Sequence, residues 1–351
     1  MTIAWSTRCC HRLVVIAAAT LAIGLLGGCA GVIQLPAGDG PASGRSAARG
    51  PVLAQNDRFL IYDPAPGDSL QGIAGRFLGS AGRWWEIADF NGIGALQAGR
   101  PVVVPLQVVN PGGISRDRYQ TVPILCYHRL GPGSGKMVVS AANFAAQLDW
   151  LARNDYRVVP LKDLLGFLDG KQPLPRRAVV LTFDDGYNSI YRHAFPLLKK
   201  YGFAATVFVY TDFVGAGDAL DWAQMQEMAA SGLVDFQGHS KSHSNLIQRL
   251  AGESDERYRE RVDAEIRVPR EVIRQKMQIP VTEYAYPYGD ANELVLDALA
   301  RNGYQLAATV NPGGNSFFAQ PFMLRRTMIY GDHDLGEFKA KLQVYREIDS
   351  R

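Results

Sequence analysis

Val179-Val180-Leu181-Thr182-Phe183-Asp184-Asp185-Gly186-Tyr187 is the stretch on which the reading of this 351-residue chain turns. A short apolar run bounded by a turn signal reads as a buried strand, and this one ends in two adjacent carboxylates and a glycine. Charges at the end of a buried strand are costly unless they hold a cation or act as a base. In parallel α/β folds, sites collect at the carboxyl ends of strands. Adjacent strand residues face opposite ways, so both carboxylates can serve one site only where the strand gives way to a loop, which Gly186 permits.

Outward from this strand, apolar runs alternate with helical stripes. Strands are expected at 122–127, 156–159, 205–209, 234–237, 284–287 and 306–310. Helices are expected at 141–154, capped by Ser140, and at 161–168, 189–201, 222–231, 253–276 and 293–302. This alternation implies an α/β domain, a parallel sheet with helices outside in an open or distorted barrel. Two further stretches carry chemistry: His239-Ser240-Lys241-Ser242-His243 and Tyr286-Pro287-Tyr288-Gly289. The four-residue histidine spacing suits one side of a helical turn. Two imidazoles and a carboxylate suit Zn²⁺ or a similar divalent ion, with positions left open for water and substrate. Alone, the histidine pair reads as a satisfied surface pair; beside the Asp-Asp strand end it reads as ligands.

Together the three stretches resemble the metal-dependent polysaccharide deacetylases, the carbohydrate esterases with a NodB homology domain. The resemblance implies a distorted (β/α)7 barrel over residues 115–345. It implies a divalent metal, Zn²⁺ or alternatively Co²⁺ or Ni²⁺, held by Asp185, His239 and His243, with Asp184 as general base. It also implies that the backbone N–H of Tyr288, after Pro287, holds the oxyanion. In the poly-N-acetylglucosamine branch a Tyr-His pair at the first strand supplies the general acid, which here is His128 after Tyr127. No clear late Leu-x-His motif competes for that role. Two departures stand out. Ala285 occupies the place where the family usually carries an arginine that orients the base, and Arg325 or Arg326 could replace it. Asp221-Trp222 resembles a family Asp-Trp motif but lies before the histidine pair, so Trp222 is either a groove residue or helix packing. His193 and His333 lack ligand context.

The N-terminus reads as an address. Arg8 and His11-Arg12 precede an apolar run from Leu13 to Leu26, of signal-peptide length and short for a membrane span. Leu26-Gly27-Gly28-Cys29 resembles a bacterial lipobox, which implies cleavage after residue 28, lipidation of Cys29, and an exported, membrane-anchored lipoprotein of the cell envelope. Residues 29–57, rich in Gly, Ala, Pro and Ser, read as a flexible linker.

Residues 58–106 read as a small βααβ module: a strand at Phe59–Tyr62, a turn at Pro66-Gly67 with Asp68 or Ser69 as helix cap, two helices, and a strand at Val102–Pro105. This order, with Pro66-Gly67-Asp68-Ser69-Leu70 at the front, resembles a LysM domain. The resemblance implies a groove for N-acetylglucosamine chains at Gly67, Asp68, Ser69 and at Asn91, Gly92, Ile93. Trp84-Trp85 reads at least partly as core.

The bulk numbers agree with a globular, multi-domain chain: 47% hydrophobic, 20% charged, and a net charge of +3 that gives no argument for nucleic acid. Of the four cysteines, Cys9, Cys10 and Cys29 fall in the first 29 residues, so no disulfide framework is encoded. The expected activity is removal of N-acetyl groups from N-acetylglucosamine units of a bacterial polysaccharide, exopolysaccharide or peptidoglycan. The alternatives are a catalytically dead glycan-binding lipoprotein and a polysaccharide O-acetyl esterase.

Overall fold

The computed structural model describes residues 49–348. The signal-like segment and the lipobox Cys29 lie outside them. Among the described residues no helix is long and apolar enough to cross a membrane.

The small module contains three antiparallel strands, β1 (Val52–Gln55), β2 (Phe59–Tyr62) and β3 (Val102–Pro105), with helices α1 (Leu70–Phe77) and α2 (Trp84–Asn91) between the last two. Leu60, Tyr62, Ile73, Ala74, Ile87 and Val104 close its core. Ser69 caps α1 by accepting from the Gly72 N–H at 3.0 Å. β1 departs from the expected linker over 29–57. Its side chains are all exposed, so composition gives no burial signal there, and backbone pairing with β2 alone makes it a strand.

The larger domain is built on seven parallel segments. They are β4 (Val122–Tyr127), β5 (Ala178–Phe183), β6 (Ala205–Val209), β7 (Val234–Gly238), β8 (Glu283–Ala285), β9 (Leu306–Ala308) and β10 (Thr327–Met328). Each pairs in parallel with its neighbour from β4 through β9. The last segment closes the curl: Leu324 bridges Ala308 of β9, and Thr327-Met328 pair with Leu125-Cys126 of β4. This is the distorted barrel expected, its final strand reduced to two residues and a bridge.

Alternation along the strands sorts two cores. Val122, Ile124, Ala178, Val180, Phe208, Ala285, Leu306 and Leu324 fill the barrel interior. Leu125, Tyr127, Val179, Leu181, Phe183, Val207, Phe236 and Tyr284 lie beneath the surrounding helices, among them α3 (Ala141–Arg153), α4 (Trp222–Ala230) and α5 (Asp255–Met277). The same parity carried past the strand ends turns His128, Asp184 and His239 to the inner side at the carboxyl end.

Candidate active site

Register sets the first layer of the site. Cys126 pairs with Thr182 and Tyr127 with Phe183, so His128 and Asp184 follow side by side. Asp184 is 2% exposed and Arg326 fully buried. The guanidinium donates from Nη1 to Asp184 Oδ1 at 2.6 Å and from Nη2 to Oδ2 at 2.8 Å, and its Nε donates to the Thr309 carbonyl at 2.9 Å. The buried thiol of Cys126 donates to Asp184 Oδ2 at 3.3 Å. Burial pushes the Asp184 carboxyl up, but the Arg326 charge outweighs it and holds the pKa at about 2. A carboxylate offers about four acceptor positions. With three taken, one lone pair remains, on Oδ1. Arg326 is thus the arginine that Ala285 lacks, and Arg325 is not: it sits at the surface, donating to the Pro312 carbonyl at 3.1 Å.

Asp185 would face outward by strand parity. It instead takes φ 72°, followed by Gly186 at φ 78°, and the turn brings its carboxylate back over the barrel mouth. A Cβ on Gly186 would lie 2.8 Å from Val209 Cγ1, so close packing as well as φ demands glycine. His239 follows β7, and its Nδ1 is fixed by the Ala285 carbonyl at 2.8 Å, leaving Nε2 toward Asp185. Nε2 of His239 and of His243 lie 3.6 and 3.2 Å from Asp185 Oδ1.

The histidine pair is not on a helical turn, contrary to the spacing argument. Residues 239–244 form a loop in which Ser240 (φ 75°) and His243 (φ 61°) are left-handed. Ser240 Oγ accepts from the His243 N–H at 2.8 Å. Loop backbone, not helix periodicity, brings the two rings to 4.9 Å between centroids.

These residues fit a divalent cation. One ligand atom from each of Asp185, His239 and His243 lies within 4.8 Å of the others, and Asp185 Oδ1 is buried with no hydrogen-bond partner. An ion about 2.0–2.2 Å from each would satisfy that oxygen and both imidazoles. The fixed tautomer of His239, with a backbone carbonyl on Nδ1, is the support a metal-ligating histidine usually has.

His128 is half-buried, with Nδ1 buried and unpartnered. Burial lowers its pKa, against the opposing charges of Asp184 and Asp185. Tyr288 has φ 62° and is 60% exposed, its ring 4.9 Å from the His243 ring. Pro287 is buried in the short turn that presents it. Trp222 begins α4 and packs half-buried against the outer core, the helix-packing alternative. Asp221 caps that helix.

Sequence reading missed the loop 210–221, which ties the site together. Thr211 and Asp212 donate to the carbonyls of Ser240 and Lys241, Leu220 donates to the Gly186 carbonyl at 2.8 Å, and Asp218 pairs with Arg129. Tyr210 stands 5.2 Å from the His243 ring. Nothing in its composition distinguishes it from an ordinary connection.

In the small module two of the expected groove side chains, Asp68 and Asn91, are engaged within the module, while Gly67, Ser69 and Gly92 are exposed. Asp68 accepts from the Tyr62 hydroxyl and the Ala65 N–H, and Asn91 bridges to Val103 in both directions. Gly67 (φ 95°) and Gly92 (φ 66°) shape the two loops, and Ile93 packs partly against the core.

A family model described as polysaccharide deacetylase matches residues 171–307, which hold the Asp-Asp strand end and both histidines. The Bacillus subtilis protein YxkH, whose name places it among the polysaccharide deacetylases, is 30% identical over 216 residues. That alignment covers 62% of this chain and 74% of YxkH. A poly-β-1,6-N-acetyl-D-glucosamine N-deacetylase of Escherichia coli is 28% identical over 246 residues, 60% of this chain but only 36% of that enzyme. Among solved structures, IcaB from Ammonifex degensii superposes with a TM-score of 0.58 at 29% identity, covering 64% of this chain and 98% of that one. The Streptococcus pyogenes deacetylase PplD gives a TM-score of 0.58 at 25% identity, with the same coverage. With the barrel, the Asp/His/His cluster and these likenesses in hand, the chain belongs to the polysaccharide deacetylase family.

Proposed function

We propose that the chain is a hydrolase that removes acetyl groups from the N-acetylglucosamine units of a bacterial polysaccharide, with poly-β-1,6-N-acetyl-D-glucosamine as the polymer class. One observation carries the chemistry: a buried, ionised Asp184, gripped at both oxygens by Arg326, beside the Asp185–His239–His243 cluster at the barrel mouth. The polymer named for the E. coli relative supports the substrate.

A divalent cation at the cluster, for which two imidazoles and one carboxylate favour Zn²⁺ with Co²⁺ or Ni²⁺ as substitutes, would polarise the acetyl carbonyl and activate water. Asp184 takes the water proton on the free lone pair of Oδ1 as the C–O bond forms at the acetyl carbon. The Tyr288 backbone N–H supports the carbonyl oxygen as it gains charge. His128, protonated, delivers its proton to the sugar nitrogen as the C–N bond breaks. Acetate and a free amine leave. Trp222 is assigned to packing.

The βααβ module over 58–106 supports a LysM-like role in holding N-acetylglucosamine chains, presented by the loops at Gly67–Ser69 and Asn91–Ile93 through backbone more than side chains. It favours a second reading in which peptidoglycan is the substrate or the anchoring surface. The lipobox at Cys29 supports export and a lipid anchor. The test is acetate release from N-acetylated oligomers before and after chelation, with Zn²⁺ restored. Release that needs metal and vanishes in Asp184→Asn bears the proposal out. Release only from O-acetylated oligomers assigns the site to an esterase.

A further inference from the structure

Glu265 lies in the middle of α5, 7% exposed, and its carboxylate points into the loop that joins the two histidines. Oε2 accepts from the backbone N–H of Lys241 at 3.0 Å and of Ser242 at 2.9 Å, and Oε1 accepts from the Ser242 hydroxyl at 2.6 Å. No salt bridge to Glu265 exists among the described residues; the nearby Arg261 is engaged by Glu253. A buried carboxylate loses much solvation free energy, and three donors from two consecutive residues of one loop offset that loss. The same helix holds the far end of that loop: the Tyr258 hydroxyl donates to the Leu246 carbonyl at 2.8 Å, and Arg261 donates to the Gln248 carbonyl at 2.8 Å. On either side of the Lys241-Ser242 anchor, Ser240 and His243 keep left-handed conformations that cost a non-glycine residue on the order of 1 kcal/mol or more each.

The two imidazoles are therefore held by different means. His239 is fixed from the sheet, through the Ala285 carbonyl. Among the hydrogen bonds of the described residues, no side-chain bond orients the His243 ring; its backbone sets its position, with the Tyr210 and Tyr288 rings beside it. We propose that Glu265 is a positioning residue for the metal cluster: by clamping Lys241 and Ser242 it holds His243 in the left-handed conformation that turns Nε2 toward Asp185. This rests on the metal-centre reading above, but not on the identity of the substrate. A purely structural Glu265 would stabilise the fold without changing how the cation is held.

The experiment is a Zn²⁺ competition titration of the full chain against a chromophoric chelator. It is paired with the visible spectrum of the Co²⁺-loaded protein and with melting of the metal-free protein as a check on folding. Glu265→Ala is expected to weaken Zn²⁺ binding 10–100-fold, the range typical for loss of a supporting partner, and to alter the Co²⁺ band as His243 leaves. Glu265→Gln keeps an acceptor for both N–H groups and is expected to stay within about threefold. Folded Glu265→Ala with Zn²⁺ affinity and Co²⁺ spectrum like those of the unaltered chain overturns the proposal. Should Glu265→Ala fail to fold, Ser242→Ala, which removes only the 2.6 Å bond, decides in the same assay: weaker Zn²⁺ binding sustains it, unchanged binding and spectrum overturn it. Because the readout is metal, absence of acetate release in a Zn²⁺-loaded protein would count against the proposed reaction alone.

Discussion

Removing the Arg326 guanidinium would leave Asp184 charged, buried and met only by the Cys126 thiol. Breaking a buried pair in this way typically costs about 3–5 kcal/mol, so Arg326→Ala is expected to lower unfolding stability by about 3 kcal/mol in urea. Arg326→Lys, which keeps charge but not the two-pronged geometry, should fall between. The same pair sets a pH window. The Asp184 pKa is lowered in the folded chain, from an ordinary 3.8 to about 2. Its contribution is therefore complete above about pH 4 and lost as pH falls through about 2, on the order of 2 kcal/mol. An acid titration of stability should show that limb in the native chain and lose it in Asp184→Asn. The paired carboxylates were legible because they end a recognisable apolar run, and the two imidazoles by their spacing beside that strand end. Arg326 was legible only as one of two candidates. The choice between Arg325 and Arg326 depends on which way a two-residue strand faces, and a strand that short has no alternation to read.

Strand ends and loops carry most of what sequence could not fix. Among the described residues, four of the seven left-handed non-glycine residues, Asp185, Ser240, His243 and Tyr288, belong to the candidate site. Local preference opposes each of them, so tertiary contacts must impose them. That is why the four-residue histidine spacing suggested a helical turn and the structure has a loop. Gly186 is the element-level counterpart. Gly186→Ala would place a Cβ 2.8 Å from Val209 Cγ1 at φ 78°. It is expected to destabilise the chain by about 1–3 kcal/mol and to reduce metal affinity as well, since Asp185 occupies the same turn; thermal melting with and without Zn²⁺ checks both. The parallel strands β4 to β7 were legible because they are buried on both faces and read as near-continuous apolar runs. The barrel's closure by Leu324 and Thr327-Met328 was not, because it is made of one bridge and a two-residue pairing among polar and charged neighbours.

At the scale of the whole molecule, the described residues belong to one compact unit that contains both the small module and the barrel. The barrel mouth bears the Asp/His/His cluster. A cleft of about 650 Å³ lies at the other end, where Trp85 and Asp89 of the small module meet Arg118, Arg176 and Tyr345 beside the amino ends of β4 and β5. Asp89 accepts from the Arg176 N–H at 2.9 Å, and the Arg157 guanidinium lies 4.3 Å over the Trp84 ring, so the module is seated by a few polar contacts. A smaller cleft of about 200 Å³ lies beside Ile93, lined also by Ala95 and Gln97, and is where a sugar chain would lie under the proposed LysM-like role. Filling it with Ala95→Trp is expected to reduce co-sedimentation with insoluble N-acetylglucosamine polymers several-fold while leaving acetate release from soluble oligomers unchanged. The measurement that bears most directly on the proposed activity is acetate release from purified poly-β-1,6-N-acetyl-D-glucosamine and from peptidoglycan, using the Zn²⁺-loaded chain and its Asp184→Asn variant. Metal-dependent release from the first polymer, abolished by the substitution, is the expected result. A Zn²⁺-loaded, folded chain that releases acetate from neither polymer, or equally well with Asp184→Asn, would contradict it.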